Sequence, residues 1–304
     1  MKNVLVLYYT QSGQLGEIAN SFTSPLLQYK DVSTTFCEIK LKKPFPFPWD
    51  NQSFFNAFPE SFLEIPSEIE PIEDKILNQD YDLVILAYQI WFLSISIPIN
   101  SFLKSKYATQ LLKNKPVVTL IGCRNMWIMA HEKMKKQLLK LDAKLVGNVV
   151  LVDRAPNLIS VITIVKWMFS GEKKKYWGGL LPQPGVSDSD IQNAKEFGNI
   201  VNSALFAENF QDLQNQLIEG EAVIIDDYLV TVEARGSKIF SKWAQLIITK
   251  KKSRNWWLKA FNVYLFLAIW IISPIVYILH ILMYPFTKKG RLKRKLKYQS
   301  VHLQ

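Results

Sequence analysis

The sequence predicts an α/β fold: a doubly wound parallel sheet with a C-terminal helical extension and a membrane-associated hydrophobic helix or hairpin. Three observations predict it. Short, continuous apolar runs such as residues 81–88 (YDLVILAY) read as strands buried on both faces. These runs alternate with segments whose apolar residues recur at helical spacing. Near the C-terminus, the 27 residues 260–286 contain no Asp, Glu, Lys or Arg.

Residues 4–9 are the first expected strand and 16–28 the first helix, marked by Ile18, Ala19 and Phe22. Residues 32–39 are a second strand. Residues 42–66 break the regular pattern, because prolines at 44, 46 and 48 prohibit helix and discourage a central strand. Their aromatic residues, Phe45, Phe47, Trp49, Phe54, Phe55, Phe58 and Phe62, suit either a recognition lid or a packed insertion. A strand at 81–88, a helix at 98–112, a strand at 116–121, a helix at 126–141 and a strand at 145–152 follow.

Beyond Asp153, residues 158–169 read as an apolar helix whose only charge is Lys166, and 187–204 as a helix started by Ser187-Asp188-Ser189-Asp190. Residues 222–232 read as one bent strand or a hairpin around Asp226-Asp227, and 236–249 as an amphipathic helix. This divides the chain into a sheet domain at 1–152, an α-rich extension completing it at 153–250, and a basic-flanked membrane anchor at 251–304.

Composition narrows the function classes. With 304 residues and 49% hydrophobic content, the chain can bury a large core and is not disordered. Its net charge of +11 is unevenly placed. Residues 235–304 hold fifteen Lys or Arg and no acidic residue, leaving residues 1–234 with 22 basic against 26 acidic groups. A mildly acidic body is a poor nucleic-acid binder, so the basic character belongs to the tail. Two cysteines, Cys37 and Cys123, and three scattered histidines make neither a disulfide framework nor a Cys/His metal cluster. The first residues run directly into a strand without an apolar leader, so the body is expected in a reducing cytoplasm.

The apolar run at 260–286 is long enough for a bilayer core, with Trp256 and Trp257 before it and Tyr284 and Phe286 at its end. Ser273-Pro274 interrupts it. A kinked span would carry the seven basic residues of 288–297 across the membrane, against the positive-inside bias. An in-plane or re-entrant hairpin would leave both basic clusters on anionic lipid. The expectation is the hairpin at the cytoplasmic face of the inner membrane, anchored by residues 256–286.

Three loops follow the carboxyl ends of the expected parallel strands. The first, Thr10-Gln11-Ser12-Gly13-Gln14-Leu15, offers hydroxyls, a glycine and a helix N-terminus, which suit either a phosphate or an ordinary strand–turn–helix corner with a Ser/Thr cap. It has neither Gly-Lys-Ser/Thr nor G-x-G-x-x-G. The second runs from Tyr88 through Gln89-Ile90-Trp91-Phe92 to Pro98, and the third is Gly122-Cys123-Arg124-Asn125-Met126-Trp127. A phosphate site, an aromatic loop and a polar loop on one edge suit a flat phosphorylated ring such as FMN.

The first loop resembles the flavodoxin-family signature Ser/Thr-x-Ser/Thr-Gly-x-Thr, with Leu15 where the pattern usually has a hydroxyl. The second resembles the Trp-x(n)-Pro…Leu-Lys stretch of flavodoxin-like quinone reductases. Residues 1–152 thereby resemble the flavodoxin-like fold. The stretches FPFPW (45–49), AYQIWFLSISIPINSFLK (87–104), RNMWIMA (124–130), VDRAPNLISVITIVKWMFSG (152–171) and the membrane tail are similar to bacterial dialkylresorcinol condensing enzymes. That resemblance implies flexirubin-type pigment biosynthesis, with a ketosynthase-like enzyme and an acyl carrier protein as partners.

On these resemblances Thr10, Gln11, Ser12, Gly13, Gln14 and Leu15 surround the phosphate of FMN. Gln89, Ile90, Trp91 and Phe92 hold the isoalloxazine, and Gly122 and Asn125 its far edge. Arg124 is assigned to an enolate or the reduced flavin, with a surface ion pair as the alternative. Tyr88 and His131 are the acid/base candidates, and Cys123 with His131 is the only nearby nucleophile pair. The expected activity is FMN-dependent aromatisation of a dialkylcyclohexane-1,3-dione to a dialkylresorcinol. The alternatives are an NAD(P)H–quinone reductase and a non-catalytic flavodoxin-like membrane scaffold.

Overall fold

The computed structural model describes residues 1–303, apart from the side chains of 285–289; Phe286, Lys288 and Lys289 of the expected anchor lie among those side chains. Five parallel strands form the central sheet: β1 (Lys2–Tyr8), β2 (Val32–Glu38), β3 (Leu83–Tyr88), β6 (Pro116–Cys123) and β7 (Lys144–Val152). Their order is β2-β1-β3-β6-β7. This is the doubly wound order of the flavodoxin-like fold, with its switch point between β1 and β3. The two antiparallel pieces β4 (Ile90–Trp91) and β5 (Ser94–Ile95) form a small hairpin beside it.

The central strands are apolar on both faces because both faces are covered. Val4 to Leu7 and Leu83 to Tyr88 are fully buried. Helix α1 (Gln14–Thr23) links β1 to β2, and right-handed crossovers then place the remaining connections on the opposite face. Those connections hold α2 (Asn51–Phe62), α3 (Asp74–Leu77), α4 (Ile97–Leu103), α5 (Lys106–Leu112) and α6 (Ile128–Lys140). After β7 come α7 (Asn157–Ser170), α8 (Asp188–Phe206) and α9 (Leu213–Glu219). Buried residues of α8 and α9, among them Ile191, Val201 and Leu217, join the same core as the sheet.

Several segments depart from the sequence expectation. Residues 51–62 of the irregular stretch are helical, because Asp50 caps the Ser53 N–H at 2.8 Å after the last of the alternating prolines, and the helix accommodates Pro59 within it. Phe58 and Phe62 then fall on its buried side. The first helix ends at Thr23, before Pro25, and the helix expected at 98–112 is two helices broken at Lys104-Ser105. Residues 222–232 hold neither strand nor hairpin. Asp226 accepts from the Tyr228 and Leu229 N–H groups and starts α10 (Asp227–Thr249), which absorbs the amphipathic helix expected at 236–249.

The chain continues through α11 (Arg254–Leu267), a π-helical turn at Ala268–Ile272, α12 (Ser273–Leu282) and α13 (Tyr284–Gln299). Lys251–Leu282 is one 32-residue helical stretch, long and apolar enough to cross a membrane, with its most apolar window unburied. The chain does not reverse at Ser273-Pro274, where a π-helical turn precedes the proline, so the hairpin expected there is a continuous helix. The chain is fixed to the domain within the first part of this stretch and again beyond its end. At one end the Phe58 and Phe261 rings stack at 3.7 Å, with Phe240 against both. Past the other end, the Gln214 amide donates to the Gln299 carbonyl at 2.8 Å, and Lys135 donates to the carbonyls of Ser300 and His302. Val301 is buried.

Candidate functional site

A cavity of about 230 Å³ opens at the carboxyl ends of β1, β3 and β6, where the strand order reverses. Gln11, Ser12, Gln14 and Leu15 line it from the first loop, Gln89 to Phe92 from the second, and Gly122, Cys123 and Arg124 from the third. The three loops therefore meet at one place. Thr10 and Gly13 adjoin the cavity in sequence without lining it, and Asn125 lines a different one.

The first loop is built to leave donors open. Gly13 stands at the N-cap of α1 with φ +87°, a left-handed conformation that glycine adopts without strain. No side chain caps the helix, so its first-turn N–H groups and positive dipole end face outward. Thr10 Oγ1 is buried without a partner among the described residues. Leu15 points inward as core, 1% exposed, and packs where a Cβ on Gly122 would stand.

The second loop turns through Phe92 (φ +50°) and Leu93 (φ +59°), so two bulky residues sit in the backbone region that tight hairpins reserve for Gly or Asn. Such conformations cost roughly 1–3 kcal/mol each and gather at ligand sites. Trp91 meets Trp49 at 5.3 Å, Phe45 at 5.2 Å and Tyr9 at 6.1 Å, all edge-to-face. Gln89 Oε1 is buried and unpartnered among the described residues.

The far wall joins the aromatic stretch, expected as a recognition lid or a packed insertion, to α7, which sequence reasoning missed. Phe47, Trp49 and Phe54 enter the cavity from the proline-rich stretch, and Ile164, Trp167 and Met168 from α7. The two pieces are joined, since the Trp49 N–H donates to the Met168 carbonyl at 2.8 Å. The aromatic stretch is thus a wall of the site. Only the Pro184-Gly185 turn hinted at Gly185, which also lines it.

Arg124 is half-buried and forms no surface ion pair among the described residues. Its Nη1 donates to the Asn157 Oδ1 at 2.8 Å and carbonyl at 3.2 Å, while Asn125 Nδ2 donates to the same Oδ1 at 2.8 Å. Burial lowers the Arg124 guanidinium to about 10, against the pull of Asp153, so it stays charged at neutral pH. Asp153 organises this corner by accepting from Ser160 Oγ at 2.7 Å and the Ala155 N–H at 2.9 Å. Arg154 turns away to pair with Asp190 at 3.0 Å.

Tyr88 and His131 lie together in the core, Tyr88 Oη to His131 Nδ1 at 3.1 Å, and line neither cavity. Burial pushes the Tyr88 phenol well up and His131 down to about 3, so both are neutral. Burial likewise pushes the Cys123 thiol far up, which keeps it from being a nucleophile at neutral pH. Among the described residues no His/Cys/Asp/Glu group could hold a metal.

The residues present fit a flavin mononucleotide: an uncapped helix N-terminus for the phosphate, orphaned Thr10 and Gln89 oxygens, and aromatic walls for the ring.

No protein-family model matches the chain, and no curated protein matches it. Among solved structures, it is similar to a flavoprotein in complex with FMN from Lactobacillus acidophilus NCFM, at 17% identity over 49% of this chain and 93% of that one, with a TM-score of 0.38. Oxidised flavodoxin 1 from Bacillus cereus matches at 15% identity over 68% and 98%, with a TM-score of 0.34. RosB with bound 8-demethyl-8-formylriboflavin-5'-phosphate matches at 13% identity over 72% and 81%, with a TM-score of 0.38. The fold assignment itself rests on the strand order.

Proposed function

We propose that this chain is an FMN-dependent oxidoreductase working at a membrane surface. One observation carries the reading: three strand-end loops converge at the β1/β3 switch point on a cavity with an uncapped helix N-terminus at one side and aromatic walls. The first-turn N–H groups of α1 and the Ser12 hydroxyl receive the phosphate. Trp91, Trp49 and Phe54 flank the ring and exclude water from it. Arg124, charged and held by Asn157, would place positive charge beside a bound ring or a substrate enolate.

The finer reading is aromatisation within dialkylresorcinol biosynthesis, supported by the similarity of residues 45–49, 87–104, 124–130 and 152–171 to dialkylresorcinol condensing enzymes. A dialkylcyclohexane-1,3-dione becomes a resorcinol by losing two electrons and two protons. Bound FMN supplies the two-electron acceptor that this step needs. A carbon–carbon condensation on this chain lacks its nucleophile, because Cys123 stays a thiol. We assign that step to a ketosynthase-like partner fed by an acyl carrier protein.

The greasy substrate explains the tail. The α11–α12 stretch exposes Phe266, Ile271, Ile275, Ile278 and Leu282, while the chain on both sides of it is fastened to the domain. This favours an in-plane helix whose basic flanks meet anionic lipid. A second reading, a flavodoxin-like tether without cofactor, is favoured by the apolar Leu15 at the phosphate loop. The visible spectrum of the purified full-length protein separates them: oxidised flavin absorbance supports the oxidoreductase, and its absence after adding FMN supports the tether.

A further inference from the structure

A second cavity, about 840 Å³, lies on the other side of the Arg124–Asn157–Asn125 group from the first. Its inner wall is Trp127, Ile128 and Leu158, and its outer wall is Leu229 of α10 with Tyr277 and Ile278 of α12. Tyr277 and Ile278 are 50% and 58% exposed, so the cavity opens beside the helix that faces lipid. Tyr228 Oη bonds the Ser273 hydroxyl at 2.8 Å, which fixes α12 at its proline and holds this mouth in place.

The polar groups gather at the inner end. Glu233 reaches from α10 to the start of α6, accepting the N–H groups of Met129 at 2.6 Å and Ile128 at 3.2 Å. Asn125 precedes that turn by three residues, and its Oδ1 is buried with no donor among the described residues. An orphaned amide oxygen asks for a hydroxyl. Asp153 and Asp226 line the cavity, and among the described residues Arg154 is its one cationic lining group, already paired with Asp190. A carboxylate or phosphate head is therefore repelled, and a neutral one is admitted. A volume of this size accepts a ligand with a long chain.

We infer that this second cavity binds a neutral, hydroxyl-headed amphiphile drawn from the bilayer, its alkyl chain along Leu229 and Ile278 and its hydroxyl donating to Asn125 Oδ1. Arg124 lines the first cavity and its hydrogen-bond partner Asn157 lines the second, so this pair stands between the two. The inference rests on the membrane-surface reading and is independent of whether flavin binds.

Photolabelling of the full-length protein in neutral-lipid nanodiscs tests it, using a long-chain alcohol with a diazirine near the end of its chain. We expect cross-links in the peptides carrying Leu158-Ile159 and Tyr277-Ile278, competed by excess long-chain alkylphenol. Leu229→Trp, which fills the cavity, abolishes the competed labelling. Asn125→Ala weakens competition about five- to tenfold, the worth of one hydrogen bond. The matching fatty acid labels less at alkaline pH. Labelling that spreads along exposed α11–α12 without competition, persists in both variants, or is equalled by a diazirine phospholipid overturns the inference. Flavin absorbance is recorded on the same samples, so a colourless protein that still labels contradicts the redox reading alone.

Discussion

The Gln14 side chain and the Val186 backbone hold each other by two hydrogen bonds of 3.0 Å, the Gln14 Nε2 donating to the Val186 carbonyl and the Val186 N–H to Gln14 Oε1. The pair ties the phosphate loop to the turn before α8, 172 residues away, and spends the Gln14 amide on structure. Gln14→Ala leaves both Val186 groups buried and unpaired, which costs about 2–4 kcal/mol. A drop in the thermal midpoint checks this; an unchanged midpoint would show that water replaces the amide.

Gly185 is locked by the same contact. Its φ is +82°, and an added Cβ would stand 2.6 Å from Gln14 Oε1 and 2.8 Å from the Trp167 ring. Gly185→Ala should destabilise the protein by about 2–3 kcal/mol and narrow the first cavity. Both effects are measurable, the first by chemical unfolding and the second as a raised Kd for FMN.

Ser12→Asp separates the phosphate reading from a merely structural corner. A carboxylate beside the open N-terminus of α1 complements its dipole and should raise stability by about 0.3–1 kcal/mol. The same charge repels a phosphate, so FMN affinity should fall by more than about tenfold. Stability and affinity moving in opposite directions is the expected outcome; unchanged affinity would remove the phosphate from this loop.

Two buried groups give the pH dependence. Burial raises Glu233 from 4.5 to about 7, so its favourable contribution is full below pH 4.5 and is lost as pH rises towards 7. Burial lowers His131 from 6.5 to about 3, so its contribution is full above pH 6.5 and is lost as pH falls towards 3. Between 4.5 and 6.5 the two slopes oppose and stability stays level. Glu233→Gln removes one slope, and the variant should gain about 2–3 kcal/mol from pH 4.5 to 6.5. Unfolding at the two pH values checks it; a level profile in the variant would show that His131 is hydrated.

The capture of the Gln299, Ser300 and His302 carbonyls keeps the C-terminus with the domain. A cysteine at Ser300 should resist an impermeant maleimide in intact cells and react after lysis. Cys37 and Cys123 give little background because burial keeps both as thiols. Labelling in intact cells would establish a transmembrane span instead.

The sheet was legible in the sequence because buried parallel strands need apolar residues on both faces, as at Val84, Ile85 and Leu86. The three loops were legible for the same reason, since strand ends fix where loops gather. Residues 222–232 misled because Ala222-Val223-Ile224-Ile225 looks like a strand, while the Asp226 cap that turns the chain into α10 is one side chain. The roles of Asn157 and Glu233 were not legible at all. Each acts through contacts 32 to 105 residues away, which only the packed fold brings together.

The visible absorbance spectrum of the full-length protein, purified in mild detergent and then titrated with FMN, bears on all of this at once. The structure leads to a flavin spectrum that bleaches on reduction with dithionite and whose affinity falls in Ser12→Asp. A protein that stays colourless in saturating FMN would contradict the assignment of the β1/β3 cavity to a flavin.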